Sequence, residues 1–164
     1  GDVKVAKDFK FGNAQISIST GDIDFSATAT NDVNLKTTTG DMQLNDVSAK
    51  QIDLSLSTGV IKLSNIKCDS LVSKGTTGDI KLSNVKANEK LFIKRSTGDI
   101  SLNGCDAGEI FIKATTGDVK GSLLTDKIFV TKATTGDISV PQTTTGGKCE
   151  IKVTTGDIKI EIAK

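Results

Sequence analysis

The sequence predicts an all-β protein, a parallel β-solenoid of about eight coils with 19–20 residues in each coil. Three observations support this prediction: glycine recurs at a fixed interval, apolar and polar residues alternate on both sides of it, and the turn residues favour a bend over a hairpin. The recurring glycines are Gly1, Gly21, Gly40, Gly59, Gly78, Gly98, Gly117, Gly136 and Gly156. One structural unit therefore repeats along the chain, and each copy is expected to form one coil.

The first element of each repeat is a short strand directly after the glycine. The second and fourth following positions are apolar, as in Ile80 with Leu82, and the same pattern predicts an inward Ile138 near the end of the chain. This alternation is typical of a half-buried strand. A lone apolar residue recurs seven positions after the glycine, and we expect this residue, Leu124 in the seventh repeat, to point inward at a corner.

The second element is a strand that ends at the next glycine. Its apolar residues stand seven and five positions before the glycine, as in Leu91 with Ile93. The Thr-Gly step that follows suits a type II turn with glycine at positive φ, whereas tight hairpins prefer Asn-Gly or Asp-Gly. A single-layer meander would leave its apolar face uncovered. Parallel coils about 4.8 Å apart enclose that face instead, and they align equivalent residues into columns.

One column carries acidic side chains. An aspartate follows each of these glycines except Gly59, and a lysine stands four residues before most of them. Where the aspartate is replaced by Val60, the lysine is replaced by Ser55. We therefore expect lysine and aspartate to pair across the corner. Calcium binding is disfavoured because Ca²⁺ takes about six to eight oxygen ligands, and no metal ion or cofactor is expected.

Composition excludes several functional classes. The 164 residues carry a formal net charge of +1, and they include six Phe but no Trp, Tyr or His. Nucleic acid is not an expected partner, because the chain lacks a strong positive charge and most stacking side chains. The absence of histidine removes the commonest general base and zinc ligand. Cys68, Cys105 and Cys149 do not match a zinc or redox spacing, and the last two occupy apolar positions of the repeat.

An outward column six residues before each glycine contains neighbouring apolar residues. In repeat order it reads Gln15, Asn34, Asp53, Val72, Phe92, Phe111, Val130 and Glu150. We predict that Val72, Phe92, Phe111 and Val130 form a contiguous exposed stripe. A stripe of this kind usually marks an interface, so these four residues are the candidate partner-binding patch, and no catalytic residue is predicted.

The string Thr-Thr-Gly-Asp-Ile-Lys-Leu-Ser-Asn at residues 76–84 recurs in variant form throughout the chain. In this motif the chain resembles the bacterial adhesin-like β-strand repeat family, an envelope-associated domain of unknown function. The resemblance covers essentially the whole chain, and the motif carries no active residues to transfer. It implies a β-solenoid module displayed at the bacterial cell surface or another extracytoplasmic location.

These observations lead to a functional expectation. Residues 1–164 are expected to be a single domain, a piece of a longer protein that is anchored to the membrane through a segment outside it. We expect a non-enzymatic scaffold or adhesion-like binding module whose partner is a protein, an envelope component or a second copy of the chain. The alternative is a carbohydrate-active solenoid enzyme. It would use paired carboxylates about 5–9.5 Å apart, supplied by Asp99, Asp118 and Asp137.

Overall fold

The computed structural model describes residues 1–163, and this part of the chain consists of β-strands and their connections. The strands are β1 Val3–Val5, β2 Lys10–Phe11, β3 Ala14–Thr20, β4 Ile23–Phe25, β5 Thr28–Ala29, β6 Asp32–Thr39, β7 Met42–Ser48, β8 Gln51–Thr58, β9 Ile61–Thr77, β10 Ile80–Thr97, β11 Ile100–Thr116, β12 Val119–Leu123, β13 Lys127–Thr135, β14 Ile138–Ser139, β15 Gly147–Thr155 and β16 Ile158–Ile162.

Each strand pairs in parallel with the strand of a neighbouring coil, and equivalent residues lie opposite one another. Ile80 of β10, for example, lies between Ile61 of β9 and Ile100 of β11. The same register recurs along the stack. The predicted parallel β-solenoid is confirmed: strands about 19 residues apart stack to form about eight turns.

The middle coils are nearly continuous strands that bend at two corners. In β9 the inward apolar residues are Ile61 and Leu63, then Ile66 and Cys68, then Leu71, and the alternation of inward and outward residues shifts by one position between these groups. Each coil is therefore three straight segments. We call them the first, second and third faces, in chain order after the glycine. Strict alternation within each face keeps the apolar residues inside.

The corner between the first and second faces needs a left-handed residue. Asp46, Asn65 and Asn84 occupy it with φ of 53–55°, a conformation that Asn and Asp tolerate better than most side chains. The Asn84 amide donates to Asn65 Oδ1 at 2.9 Å, and the Asn65 amide donates to Asp46 Oδ1 at 3.0 Å. The corner residues therefore also link one coil to the next.

The glycine corner is where neighbouring coils approach most closely. The glycines from Gly21 to Gly156 that begin each turn have φ between 128° and 147°, so the predicted positive φ is confirmed, although it lies beyond the value of about 80° of a type II turn. A Cβ at Gly98 would lie 2.6 Å from the carbonyl carbon of Gly78 and closer still to its oxygen. Backbone conformation and space thus both require glycine here.

The aspartate after each glycine bonds along the stack. Oδ1 of Asp99 accepts a hydrogen bond from the backbone N–H of Asp118 at 2.9 Å, and Oδ1 of Asp118 accepts one from Asp157 at 2.8 Å. The same contact is accepted by Asp2, Asp22, Asp41 and Asp79, and by Asp157 from the N–H of Asp137 in the outermost layer. Val60 has no carboxylate, so the backbone N–H of Asp79 lacks the acceptor that an aspartate at this position provides in the other coils. The column therefore ties successive coils together.

The predicted pairing of lysine with these aspartates is wrong. Within residues 1–163, no ion pair joins a lysine four residues before a glycine to an aspartate of the column. The physical reason is the direction of the carboxylates: those from Asp2 to Asp118 and that of Asp157 turn along the stack and accept a hydrogen bond from a backbone N–H of the next coil. The lysines instead point outward from the third face, as Lys94 and Lys113 do.

The interior is a set of apolar columns, with Ile100, Leu102 and Cys105 almost fully buried in one coil. The three cysteines are free and buried, which confirms the prediction that Cys105 and Cys149 serve as small apolar residues. Burial raises the pKa of the Cys68 thiol to about 12, and nearby Asp69 adds to the shift. Burial likewise raises the pKa of Cys149 to about 12, although Lys127 opposes it.

Two predicted inward residues are exposed. Leu124 is 38% exposed because Leu123 points inward in its place. The pairing of β11 with β12 shifts by one residue between Leu102 and Cys105, so that Cys105 lies opposite Leu123. This shift falls at the corner where Gly104 has φ of 61°. Ile138 is 42% exposed because its strand, β14, lies at the end of the stack and pairs only with β16. Both corrections follow from departures of the last repeats from the regular coil.

The last coils are stacked out of chain order. On the first face, β12 is followed by β16 and then β14; on the third face, β11 is followed by β15 and then β13. β13 and β14 therefore form the outermost layer. β15 and β16 come later in the chain but lie between that layer and the strands β11 and β12. Residues 140–146 make the return without forming a strand. Pro141 favours this path because proline has no N–H to contribute to a sheet.

The side chain of Arg95 is charged and lies inside the stack. Arg95 is 2% exposed, and its Nη1 donates to the carbonyl oxygen of Leu56 at 3.1 Å. The guanidinium fills the space next to Gly75, where a Cβ would lie 2.6 Å from Arg95 Cζ. Nε and Nη2 of Arg95 and Oγ of Ser73 are buried without a hydrogen-bond partner. Burial lowers the pKa of Arg95, and the charge of Asp79 opposes that shift.

Candidate functional site

The predicted partner-binding patch lies on the outer side of the third face. Val72, Phe92 and Phe111 are neighbours in the parallel register and are each partly exposed. The rings of Phe92 and Phe111 stack with centroids 5.0 Å apart and an interplanar angle of 8°. We call these three residues the aromatic stripe. Stacking holds the two rings in one orientation and presents a fixed apolar ridge to solvent.

Val130 does not continue this stripe. Because β15 lies between β11 and β13, the neighbour of Phe111 is Glu150, and Val130 pairs with Glu150 on its far side. Val130 is 44% exposed near the end of the stack. The structure therefore brings three of the four predicted residues together and separates the fourth from them by a carboxylate. The sequence order of the repeats could not reveal this exchange.

A column of lysines runs beside the aromatic stripe on the same face. In spatial order it contains Lys74, Lys94, Lys113, Lys152 and Lys132, which are partners in consecutive registers. We call these five residues the lysine column. The strand exchange leaves it unbroken, because β13 and β15 both carry lysine at this position. Lys74 Nζ lies 5.8 Å from the centroid of the Phe92 ring, a cation–π distance that joins the two features.

A column of hydroxyl side chains lies on the other side of the lysines. It consists of the exposed residues Thr76, Ser96, Thr115, Thr154 and Thr134. Two shallow grooves separate the hydroxyl column from the lysine column. One, of about 320 Å³, is lined by side chains that include Lys74, Lys94, Thr76 and Ser96. The other, of about 170 Å³, is lined by side chains that include Lys113, Lys152, Lys132, Thr154 and Thr134.

The carboxylates considered for catalysis occupy the aspartate column. Asp99 and Asp118 belong to adjacent coils, and each has an oxygen bonded to a backbone N–H of the next coil. Asp137 is not their immediate neighbour, because Asp157 lies between Asp118 and Asp137. The structure therefore assigns a stacking role to the pair and separates the third carboxylate from them.

The second face contains a groove that the sequence did not indicate. It has a volume of about 610 Å³ and lies where the chain crosses between layers, lined by residues that include Asp106, Thr125 and Lys127. Lys127 is 3% exposed, and its Nζ donates to Asp106 Oδ1 at 2.7 Å. Burial raises the pKa of Asp106, but hydrogen bonds from Lys127 and Thr125 outweigh it, so the pKa lies below its usual value. This ion pair fastens the crossover to the regular stack.

No metal centre forms within residues 1–163, where no group of three or more His, Cys, Asp and Glu side chains is placed to hold an ion. In the same residues, no helix is long and apolar enough to cross a membrane.

The geometry defines a class: a parallel β-solenoid whose third face carries an aromatic stripe, a lysine column and a hydroxyl column. The chain belongs to the Toastrack DUF4097 family, whose model matches residues 1–127 and again residues 71–164. The family is a domain of unknown function with a repeat architecture. No curated protein and no solved structure matches the chain.

Proposed function

We propose that this solenoid is a non-enzymatic binding module or scaffold, displayed at the bacterial cell surface, that holds a protein or envelope component against its third face. The surface location is supported by the resemblance of the repeat motif at residues 76–84 to envelope-associated β-strand repeats. The binding function is supported by the structure of the third face itself.

The observation on which this proposal depends is the aromatic stripe. Phe92 and Phe111 are large apolar side chains at outward positions, where the neighbouring columns are charged or polar. Their rings are already held parallel, 5.0 Å apart. These two side chains would therefore lose little conformational freedom when a partner binds. Aromatic residues fixed on a rigid scaffold are the usual anchors of protein interfaces.

A non-enzymatic role is supported by how the carboxylates are used. Asp99 and Asp118 bond to backbone N–H groups of the neighbouring coil at 2.8–2.9 Å. A retaining or inverting glycosidase would need a pair free to act as acid and as nucleophile or base on one substrate. Their position in a structural column favours the scaffold over the carbohydrate-active alternative.

The proposal is tested by exposing the purified chain to envelope fractions and to itself. Bound components are measured by pull-down, and self-association is measured by analytical ultracentrifugation. Phe92→Asp and Phe111→Asp should each reduce capture or self-association at least about tenfold, as expected for loss of an interface anchor. Phe9→Asp is the matched control, because Phe9 is 57% exposed and lies outside the aromatic stripe.

Folding of each variant is checked by circular dichroism before binding is compared. If all three variants bind and associate as the unaltered chain does, the aromatic stripe is not the binding surface. Turnover of a glycan by the purified chain, lost in Asp99→Asn, would replace the scaffold with the enzymatic alternative.

A further inference from the structure

We propose that the lysine column is a binding site for a linear acidic polysaccharide, a chain with a carboxylate in each sugar unit that lies along the solenoid axis. This inference rests on the proposed binding function and names a ligand class for the same face. The feature that supports it is the placement of five lysines in single file on five consecutive coils.

The charge of this surface is strongly uneven. On the five coils from Lys74 to Lys132, the column of the aromatic stripe, the lysine column and the hydroxyl column together hold five lysines and one carboxylate, Glu150, which gives a charge of 5 − 1 = +4. The whole chain has a net charge of +1, so its remaining residues sum to 1 − 4 = −3. The face therefore attracts anions although the protein is almost neutral.

Stacking like charges is unfavourable in the unbound protein. Neighbouring strands are about 4.8 Å apart, and the outward lysines of adjacent coils are in register. Within residues 1–163 the only column lysine in an ion pair is Lys152, whose Nζ lies 3.9 Å from Glu150 Oε1. An anion repeated along the same axis would relieve this repulsion at every coil.

The neighbouring columns favour a sugar polymer. Exposed hydroxyls run parallel to the lysines on one side, and the two grooves of about 320 Å³ and 170 Å³ lie between hydroxyls and lysines. Sugar hydroxyls could exchange hydrogen bonds with this column while carboxylates face the ammonium groups. The grooves follow the stack axis, which suits an extended chain better than a compact ligand.

Two other polyanions fit this face less well. Single-stranded nucleic acid is usually held by bases that stack on aromatic faces, but the facing sides of Phe92 and Phe111 are occupied by each other. A membrane surface favours basic residues combined with apolar residues that enter the lipid. Here one whole flank of the lysine column is made of hydroxyl side chains, which favour water.

The probe is polygalacturonate, a linear polymer with one carboxylate in each sugar, and neutral dextran is the control polymer. Binding is measured by calorimetry at several salt concentrations. The triple variant Lys94→Gln, Lys113→Gln and Lys152→Gln should lose affinity on the order of 100-fold, whereas the corresponding triple arginine variant should retain it. As a control, Lys62→Gln, Lys81→Gln and Lys159→Gln remove the same charge from the first face.

The proposal predicts salt-sensitive binding of polygalacturonate, no binding of dextran, and a loss confined to the third-face glutamine variant. Equal loss in the first-face variant, no binding of polygalacturonate, or tighter binding of duplex DNA or anionic vesicles would overturn it. If polygalacturonate does not bind but Phe92→Asp still abolishes capture of an envelope component, the ligand class is wrong and the binding function stands. If polygalacturonate does not bind and Phe92→Asp does not change capture, both the ligand class and the binding function are refuted.

Discussion

Replacing one glycine of the corner column should destabilise the solenoid sharply. Gly98 lies in the middle of the stack with φ of 141°, a conformation that L-amino acids rarely adopt. The Cβ of an alanine would lie 2.6 Å from the carbonyl carbon of Gly78 and 3.3 Å from the backbone nitrogen of Asp79. Because both neighbours are backbone atoms in the ladder of the adjacent coil, they can move only if the coils separate locally.

The expected cost has two parts. Holding a non-glycine residue in a sparsely populated backbone region costs about 1–3 kcal/mol, and forcing a methyl group into a filled space costs about 1–3 kcal/mol. Gly98→Ala should therefore lower the free energy of unfolding by roughly 2–6 kcal/mol, a large fraction of the 5–15 kcal/mol typical of a folded domain.

The assay is equilibrium denaturation in guanidinium chloride, followed by far-UV circular dichroism. Gly12→Ala is the matched control, since a Cβ at Gly12 meets nothing within 4 Å, and its stability should change by no more than about 0.5 kcal/mol. If Gly98→Ala is as stable as Gly12→Ala, close approach at the corner is not what requires glycine.

Other changes test separate features of the stack. Val60→Asp should stabilise the chain by about 1 kcal/mol by giving the N–H of Asp79 the missing acceptor; denaturation with Val60→Leu as control checks this, and no gain would argue against the column's role. Arg95→Met should raise the unfolding free energy by roughly 1–3 kcal/mol, because a buried charge with unpaired N–H groups is replaced by an apolar side chain; lower stability would show that the guanidinium is satisfied. Folded Cys68 and Cys149 keep their protons to about pH 12 rather than the usual 9.0. The unfolded state therefore loses protons first, and stability should fall from about pH 9 to 12 by up to about 1.4 kcal/mol per thiol and pH unit. Denaturation of Cys68→Ala/Cys149→Ala across that range should show a shallower fall, and an equal slope would contradict burial of the thiols.

The regular part of the fold could be predicted from the sequence because its information is local and repeated. The glycine interval gives the length of a coil, and the alternation around Ile80 and Leu82 gives the inward side of each strand. The column of aspartates after the glycines was predicted correctly, but its predicted pairing with lysine was wrong. Sequence spacing shows that Lys94 and Asp99 are near in the chain, but it does not show that the carboxylate turns towards the amide of the next coil.

The arrangement of the last coils could not be predicted from the repeat. Both β13 and β15 carry the residues that suit a place next to β11, so the local pattern does not distinguish chain order from exchanged order. Pro141 signals an irregular segment, but it does not reveal where the following strand inserts. For the same reason the predicted stripe was partly right: Val72, Phe92 and Phe111 follow regular stacking, whereas the position of Val130 depends on the exchange.

Disulfide cross-linking tests the stacking of the coils most directly. A disulfide needs Cα atoms about 4.4–6.8 Å apart, which adjacent coils provide and coils two layers apart do not. Cysteine pairs at Lys94 with Lys113 and at Lys113 with Lys152 join partners in register, whereas Lys113 with Lys132 spans two layers. We expect the first two pairs to cross-link under mild oxidation and the third to remain reduced. A third pair that cross-links while the second does not would mean that the coils follow chain order, and failure of the first pair would contradict parallel stacking itself.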